Sequence, residues 1–369
     1  MTKLRRPVDI SPKPEFCMSS KSTSTIRIGI VGAGDNTRRR HIPGLNAIAG
    51  VKIVGVANRT PESTARVAAD FQIPKTYAHW QALVEDPTID AIVIGTWPNL
   101  HCEVTFAALQ AGKHVLCEAR MARNLVEAKQ MQAAATAHPD RVAMLVPSPL
   151  GLVVDREVQQ LLHDGFIGDL RELVVFGADD QFHDYSQFLH WRQDKEISGV
   201  NVLTMGILQE TALRWVPQPM RVFAQAQTFE PIRPNPTGPG NSPVTVPDSV
   251  QVLTQLPNGA RGIYHFSGVD LHGLGKQIHL YGTSGTIKVL FGQQETLFVG
   301  RIGQERLMEP VIPPERVGDW RVEAEFIGAI RGSEIVRRTT FADGLHYMEF
   351  SEAVARSAAT SLPVDLPLL

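Results

Sequence analysis

Ile26-Arg27-Ile28-Gly29-Ile30-Val31-Gly32-Ala33-Gly34-Asp35-Asn36-Thr37 is the stretch on which the fold turns. A short run rich in β-branched residues ends at two glycines. Glycines at these positions let a chain turn tightly and bring main-chain N–H groups against a diphosphate, although Thr37 stands where a third glycine is usual. Taken alone, the turn is equally a bend without a ligand, and its surroundings decide. Apolar runs recur at Val51–Ala57, 91–95, His114–Cys117 and 142–146. Their near-continuous hydrophobicity suits strands buried on both faces. Between them, Pro61–Phe71, 101–111 and 124–137 are alanine-rich and amphipathic, as crossover helices are. Residues 26–147 are therefore expected to form an α/β domain with a doubly wound parallel sheet and a dinucleotide at its first turn.

Beyond Pro147 the rhythm changes. Residues 170–178, 220–229, 249–256, 261–267, 276–282 and 285–290 read as strands joined by tight turns. Helices are expected at 155–164, 200–215, 320–330 and 344–359. Residues 148–369 should thus be an α+β domain built on a mostly antiparallel open sheet, with the Pro- and Gly-dense segment 230–247 as a surface loop. Residues 1–25 mix charges, prolines and serines; they read as a disordered tail, with Met1 or Met18 as alternative starts.

Composition excludes several function classes. In 369 residues, 36 basic side chains face 38 acidic ones, so no overall basic field draws nucleic acid or an anionic membrane. A small-molecule partner fits better. Cys17, Cys102 and Cys117 have neither disulfide nor metal-ligand spacing, which points to no metal and to a reducing, cytoplasmic setting. No segment reads as a membrane span.

The second strand runs into Asn58-Arg59. An acidic residue there would bind both ribose hydroxyls of NAD, whereas neutral Asn58 and cationic Arg59 suit the 2′-phosphate of NADP. The competing reading makes Arg59 a solvated residue opening the next helix. Arg38-Arg39-Arg40 is not placed in the site as a block.

Several landmarks fall in order along the chain: the glycine turn, His41-Ile42-Pro43, Thr96-Trp97-Pro98-Asn99-Leu100-His101, and Ala111 through Glu118. Farther on come 164–168, Trp191-Arg192, 282–286 and 362–367. In this order the chain resembles the glucose-fructose oxidoreductase, inositol dehydrogenase and MocA (Gfo/Idh/MocA) family. The resemblance implies an N-terminal Rossmann domain and a C-terminal substrate domain whose sheet forms homodimers or homotetramers. It also implies hydride transfer between a nicotinamide cofactor and a sugar-like or cyclic polyol. Asn36, Thr37, Thr96, Pro98, Asn99 and His101 join Gly32, Gly34, Asn58, Arg59 and Glu118 as expected cofactor contacts. Trp97 is an insertion that either stacks on a ring or fills a gap.

The chain departs from the pattern at the proton-carrying positions. The family's Glu-Lys-Pro reads Glu118-Ala119-Arg120, and its second-domain Asp, His and Asp fall on Thr204, Leu208 and Thr211. Neither alanine nor leucine can pass a proton. Glu118, Arg120, His183 and Tyr185 are the remaining candidates, with Arg120 in a binding or electrostatic role because its high pKa makes it a poor shuttle. Gln209 and Glu210 should point away from the 204/208/211 face, Glu210 as a structural ion-pair partner. Two functional readings follow: an NADP-dependent oxidoreductase with a displaced proton relay, or an NADP-binding protein without hydride transfer, such as a sensor or partner subunit.

Overall fold

The computed structural model describes residues 25–368; the expected tail up to residue 24, and with it the choice between Met1 and Met18, lies outside them. The first sheet contains β1 (Ile26–Val31), β2 (Val51–Ala57), β3 (Lys75–Thr76), β4 (Ala91–Ile94), β5 (His114–Cys117) and β6 (Ala143–Leu145), all parallel, in the order β3-β2-β1-β4-β5-β6. Crossovers are made by α1 (Ile42–Asn46), α2 (Pro61–Phe71), α3 (Trp80–Glu85), α4 (Pro98–Gln110) and α5 (Leu125–Ala137). Ile28 and Ile30 of β1 and all of β4 are sealed from solvent, as helices on both faces require. This is the expected Rossmann arrangement. Strand β3 and helix α3 were not anticipated, being too short for a periodic signal. Helix α4 begins three residues early, because Pro98 sits in its first turn where a missing N–H costs nothing.

Helix α6 (Asp155–His163) leads to the second sheet: β7 (Leu170–Ala178), β8 (Arg221–Gln227), β11 (Ser249–Gln255), β12 (Arg261–Ser267), β13 (Gly275–Gly282), β14 (Gly285–Phe291), β15 (Glu295–Arg301) and β16 (Val364–Asp365). Its order is β15-β14-β13-β7-β12-β11-β8-β16, antiparallel throughout except that β7 and β12 run parallel. The segment expected as a loop, 230–247, carries a small hairpin, β9 (Ile232–Pro234) with β10 (Asn241–Pro243). It is anchored by buried Arg233, which donates to the carbonyls of Phe182 and Asp184.

Between the sheets lie α7 (Lys195–Ser198) and α8 (Met205–Leu213). The apolar helix expected from residue 200 starts only at Met205. Before it, Val200 N–H donates to Arg123 O, Asn201 donates to Ala122 O, and Leu203 takes a φ of 47°. Val200 and Asn201 are therefore spent bridging to the first domain, and Thr204 takes the N-cap position without a side-chain cap bond, its Oγ1 facing Gly177 beside Leu208 Cδ1. Helices α9 (Val322–Arg331) and α10 (Phe341–Thr360) return to that domain: Phe326 and Ile327 pack in the core with Ile28 and Leu45, Tyr347 and Met348 in the one with Ile92 and Val115.

Candidate active site

At Gly32 the chain has a φ of +82°, and a Cβ there would lie 2.6 Å from Thr96 Cγ2 and 2.8 Å from Thr96 N. Only glycine fits. Thr37, in place of the third glycine, is buried and donates to Gly32 O at 3.4 Å. Room for it comes from the opposite strand end: a Cβ on Gly95 would stand 2.1 Å from Thr37 Oγ1. The glycine that allows close helix-to-sheet approach has thus moved across the interface. The chain then enters a π-helical turn, Thr37–His41, and α1, leaving first-turn amides without helical partners beside the two glycines. Such a cradle fits a diphosphate.

Asn58 Oδ1 accepts from Ala33 N at 2.7 Å and its Nδ2 donates to Ser63 O at 3.1 Å, so this side chain shapes the turn. Arg59 is exposed, its guanidinium 5.1 Å from the Trp97 ring. Trp97 stacks on Trp191 of the second domain at 5.7 Å and 21°. His101 is buried, its ring nitrogens 2.9 and 3.0 Å from the carbonyls of Arg120 and Thr96, which ties the ends of β4 and β5 together. Pro98 is buried in the first turn of α4, and Asn99 Oδ1 is a buried acceptor without a partner. Of the three adjacent arginines, Arg38 pairs with Asp70, Arg39 with Asp35, and Arg40 lies 4.1 Å from the Trp320 ring.

Glu118 follows β5. Its Oε1 accepts from Asn36 Nδ2 at 2.5 Å and from His41 Nε2 at 2.9 Å. His41 has no exposed surface, and its Nδ1 donates to Glu323 Oε1 at 2.5 Å; Trp320 Nε1 donates to the same Glu323 carboxylate. Burial acts to lower the imidazole pKa, but bonds to the two carboxylates override it and lift the value to about 9. Burial likewise opposes ionisation of Glu118, yet His41 and Asn36 hold its pKa below the ordinary value. A carboxylate–imidazolium–carboxylate chain therefore runs from the cleft into the interior. In the sequence His41 stands out only as a landmark and Glu323 not at all, since 282 residues separate the two.

Glu118 and Arg120 open onto a cleft of about 400 Å³ outside the carboxyl ends of β1, β5 and β6, where doubly wound sheets bind ligands. Arg192, Thr204 and Lys276 line it from the second domain, together with Asp179, which takes a 3.1 Å ion pair from Lys276 Nζ. His183 and Tyr185, the other proton-carrying candidates, are exposed on the loop after β7 and do not line this cleft. Leu208 and Thr211 are fully buried, and Glu210 pairs with Arg214 at 2.7 Å. A roomier hollow of about 660 Å³ near Asp155 has charges matched by ion pairs such as Arg338–Asp155 and Arg214–Glu210, which marks a structural seam. Among the described residues no cluster of metal-ligating side chains occurs, and no helix is long and apolar enough to cross a membrane.

Two family profiles cover most of the chain: the oxidoreductase family with NAD-binding Rossmann fold over residues 26–145, and the GFO/IDH/MocA C-terminal domain over 156–288. Levoglucosan dehydrogenase of Pseudarthrobacter phenanthrenivorans is 26% identical over 352 residues, covering 86% of this chain and 89% of the relative. The 1,5-anhydro-D-fructose reductase of Ensifer adhaerens is 38% identical over 109 residues, 30% of this chain and 32% of the relative. A solved levoglucosan dehydrogenase complex with NADH and levoglucosan superposes with a TM-score of 0.80 at 25% identity, covering 93% of this chain and 100% of that one. With its glycine turn, retained Glu118 and two-sheet architecture, this chain belongs to the Gfo/Idh/MocA family of nicotinamide-dependent oxidoreductases.

Proposed function

We propose that this protein moves hydride between NADP and a carbinol or carbonyl carbon of a sugar-like or cyclic polyol, with Lys276 handling the proton. The observation that carries this reading is the cleft shared by Glu118 and Lys276. The similar dehydrogenase solved with NADH and levoglucosan supports the substrate class. Nicotinamide, when bound, supplies or accepts the hydride. Lys276 Nζ carries exchangeable protons into the cleft and replaces, from β13, the lysine that Ala119 lacks. Asp179 orients it through their 3.1 Å contact. Glu118, held ionised by His41 and Asn36, fixes the electrostatics of the opposite wall. Arg120 binds and orients substrate.

NADP is preferred over NAD because Arg59 is exposed beside the first turn of α2 with no carboxylate partner among the described residues. Two copies pair through the open face of the second sheet, where Phe223, Leu253 and Ile263 are half exposed. The alternative of binding without hydride transfer rests on Ala119 and Leu208 at the lysine and histidine positions, and Lys276 in the cleft favours the oxidoreductase reading over it.

Replacing Lys276→Met is expected to lower kcat by roughly 10²–10⁴-fold with little change in NADPH affinity, as loss of a general acid–base does. Steady-state kinetics with a polyol and ketose panel, alongside calorimetry of NADPH binding, measure both. An unchanged kcat would remove Lys276 from the reaction.

A further inference from the structure

We propose that the substrate of this cleft carries a carboxylate, held between Arg120 and Arg192, so that the protein acts on sugar acids in preference to neutral sugars. The inference rests on the oxidoreductase reading of the same cleft and adds the chemistry of its substrate.

The charges around the cleft are half matched. Glu118 is balanced by His41 at 2.9 Å and Asp179 by Lys276 at 3.1 Å. Arg120 and Arg192 have no acidic partner among the described residues, although both line the cleft. Arg120 is only 4% exposed, and its Nε is buried with no hydrogen-bond acceptor. A buried guanidinium left in this state is costly, and proteins ordinarily pair such a group. Its pKa is lowered to about 10, first by burial and then by the positive charge of Arg192. Arg192 is half buried on the turn after His190, braced 4.3 Å from the Trp191 ring. Two guanidiniums therefore repel one another at a partly desolvated cleft whose carboxylates, Glu118 and Asp179, are paired elsewhere.

The fold accommodates this arrangement. Gly206, in the first turn of α8, lies against the stem of Arg120: a Cβ there would be 2.8 Å from Arg120 Cδ. Tyr347 borders the same spot, 3.6 Å from that Cβ position, and its hydroxyl accepts from Met121 N at 2.7 Å, which fixes the chain just past the arginine. A planar carboxylate with two acceptor oxygens matches guanidinium donors in a way that a sugar hydroxyl does not. Ionised Glu118 on the same wall disfavours a dianion, so a monoacid is preferred to a phosphate ester.

The test compares matched ligands on the full chain, with NADPH bound for affinity and with NADP+ or NADPH supplied in separate turnover assays: D-glucuronate, D-galacturonate and D-gluconate, the neutral hexoses of the same configuration, and the hexose 6-phosphates. Calorimetric affinity and, separately, nicotinamide absorbance are read. At least one acid should bind tenfold or more tighter than its neutral counterpart, and Arg192→Gln should collapse that ratio. Arg120→Met should also collapse it while raising the melting temperature of the ligand-free protein, because an unpaired buried charge is removed. A merely structural arginine would give the opposite change in melting temperature. Equal affinity for acids and neutral sugars, or tighter binding of phosphate esters, overturns the proposal. An acid that binds without any absorbance change with either form of the coenzyme would instead refute the redox reading and leave the carboxylate site standing.

Discussion

The glycine turn and the cleft between the domains adjoin each other, yet they are built on different physics. The turn works through main-chain amides whose positions are set by shape, with Gly32, Gly95, Thr96 and Thr37 packed so closely that one added carbon has nowhere to go. The cleft works through long side chains delivered from both domains, and what defines it is charge. A shape-defined site fails when anything is added, whereas a charge-defined site changes preference when a group is exchanged. This explains how a member of the family can keep its cofactor cradle while its lysine and histidine positions hold Ala119 and Leu208.

The contrast can be broken most forcefully at Gly95. Gly95→Ala puts a Cβ 2.1 Å from Thr37 Oγ1 and 2.3 Å from Gly32 O. NADPH affinity by calorimetry should fall roughly 100-fold, since each 1.4 kcal/mol of strain is a factor of ten. Unaltered binding would mean that shape does not govern the turn. A smaller effect is expected at the rim, where charge takes over: Arg59→Ala should reduce the preference for NADPH over NADH by about tenfold, the loss of one charge-assisted hydrogen bond. Thermal shifts with each coenzyme read it, and a wild-type protein stabilised more by NADH would reverse the assignment of Arg59.

The smallest effect concerns the buried chain behind the cleft. His41 is raised from 6.5 to about 9 in the folded protein. A group raised on folding stabilises fully below its unfolded pKa, and that contribution fades as pH climbs through the folded value. The melting temperature should therefore decline between pH 6.5 and 9. Glu323→Gln removes one of the bonds that raise His41, so the decline should be smaller and level off at lower pH, its onset being set by the unfolded pKa. Superimposable melting curves for the two proteins across this window would show that the Glu323 contact contributes nothing to the titration of His41.

Periodicity disclosed the first sheet because strands buried on both faces leave near-continuous apolar runs, which β1, β2 and β5 carry at their observed bounds; β7 of the second sheet, also at its expected bounds, instead alternates in burial. It misplaced the start of α8 because Val200, Val202 and Leu203 are apolar for a different reason, Val200 packing against the first domain and Val202 and Leu203 in the core of the second. At the site, Gly32, Glu118 and Arg120 were legible from local motifs. Lys276 was not, as a lysine on a strand has no local mark separating a cleft residue from a solvated one. His183 and Tyr185 drew attention through their chemistry alone, and solvation of their loop leaves them exposed. Glu323 could have been suspected only by asking what neutralises a buried histidine.

The last two long helices cover the first sheet. Phe326 and Ile327 complete the core on one side of that sheet, Tyr347 and Met348 the core on the other. The order of synthesis thus matters: the half that leaves the ribosome first keeps part of each apolar face uncovered until roughly 300 residues have followed β1. A fragment ending at residue 147 would be sticky and short-lived, and the two halves cannot swing apart like pages on a spine without tearing one of these cores.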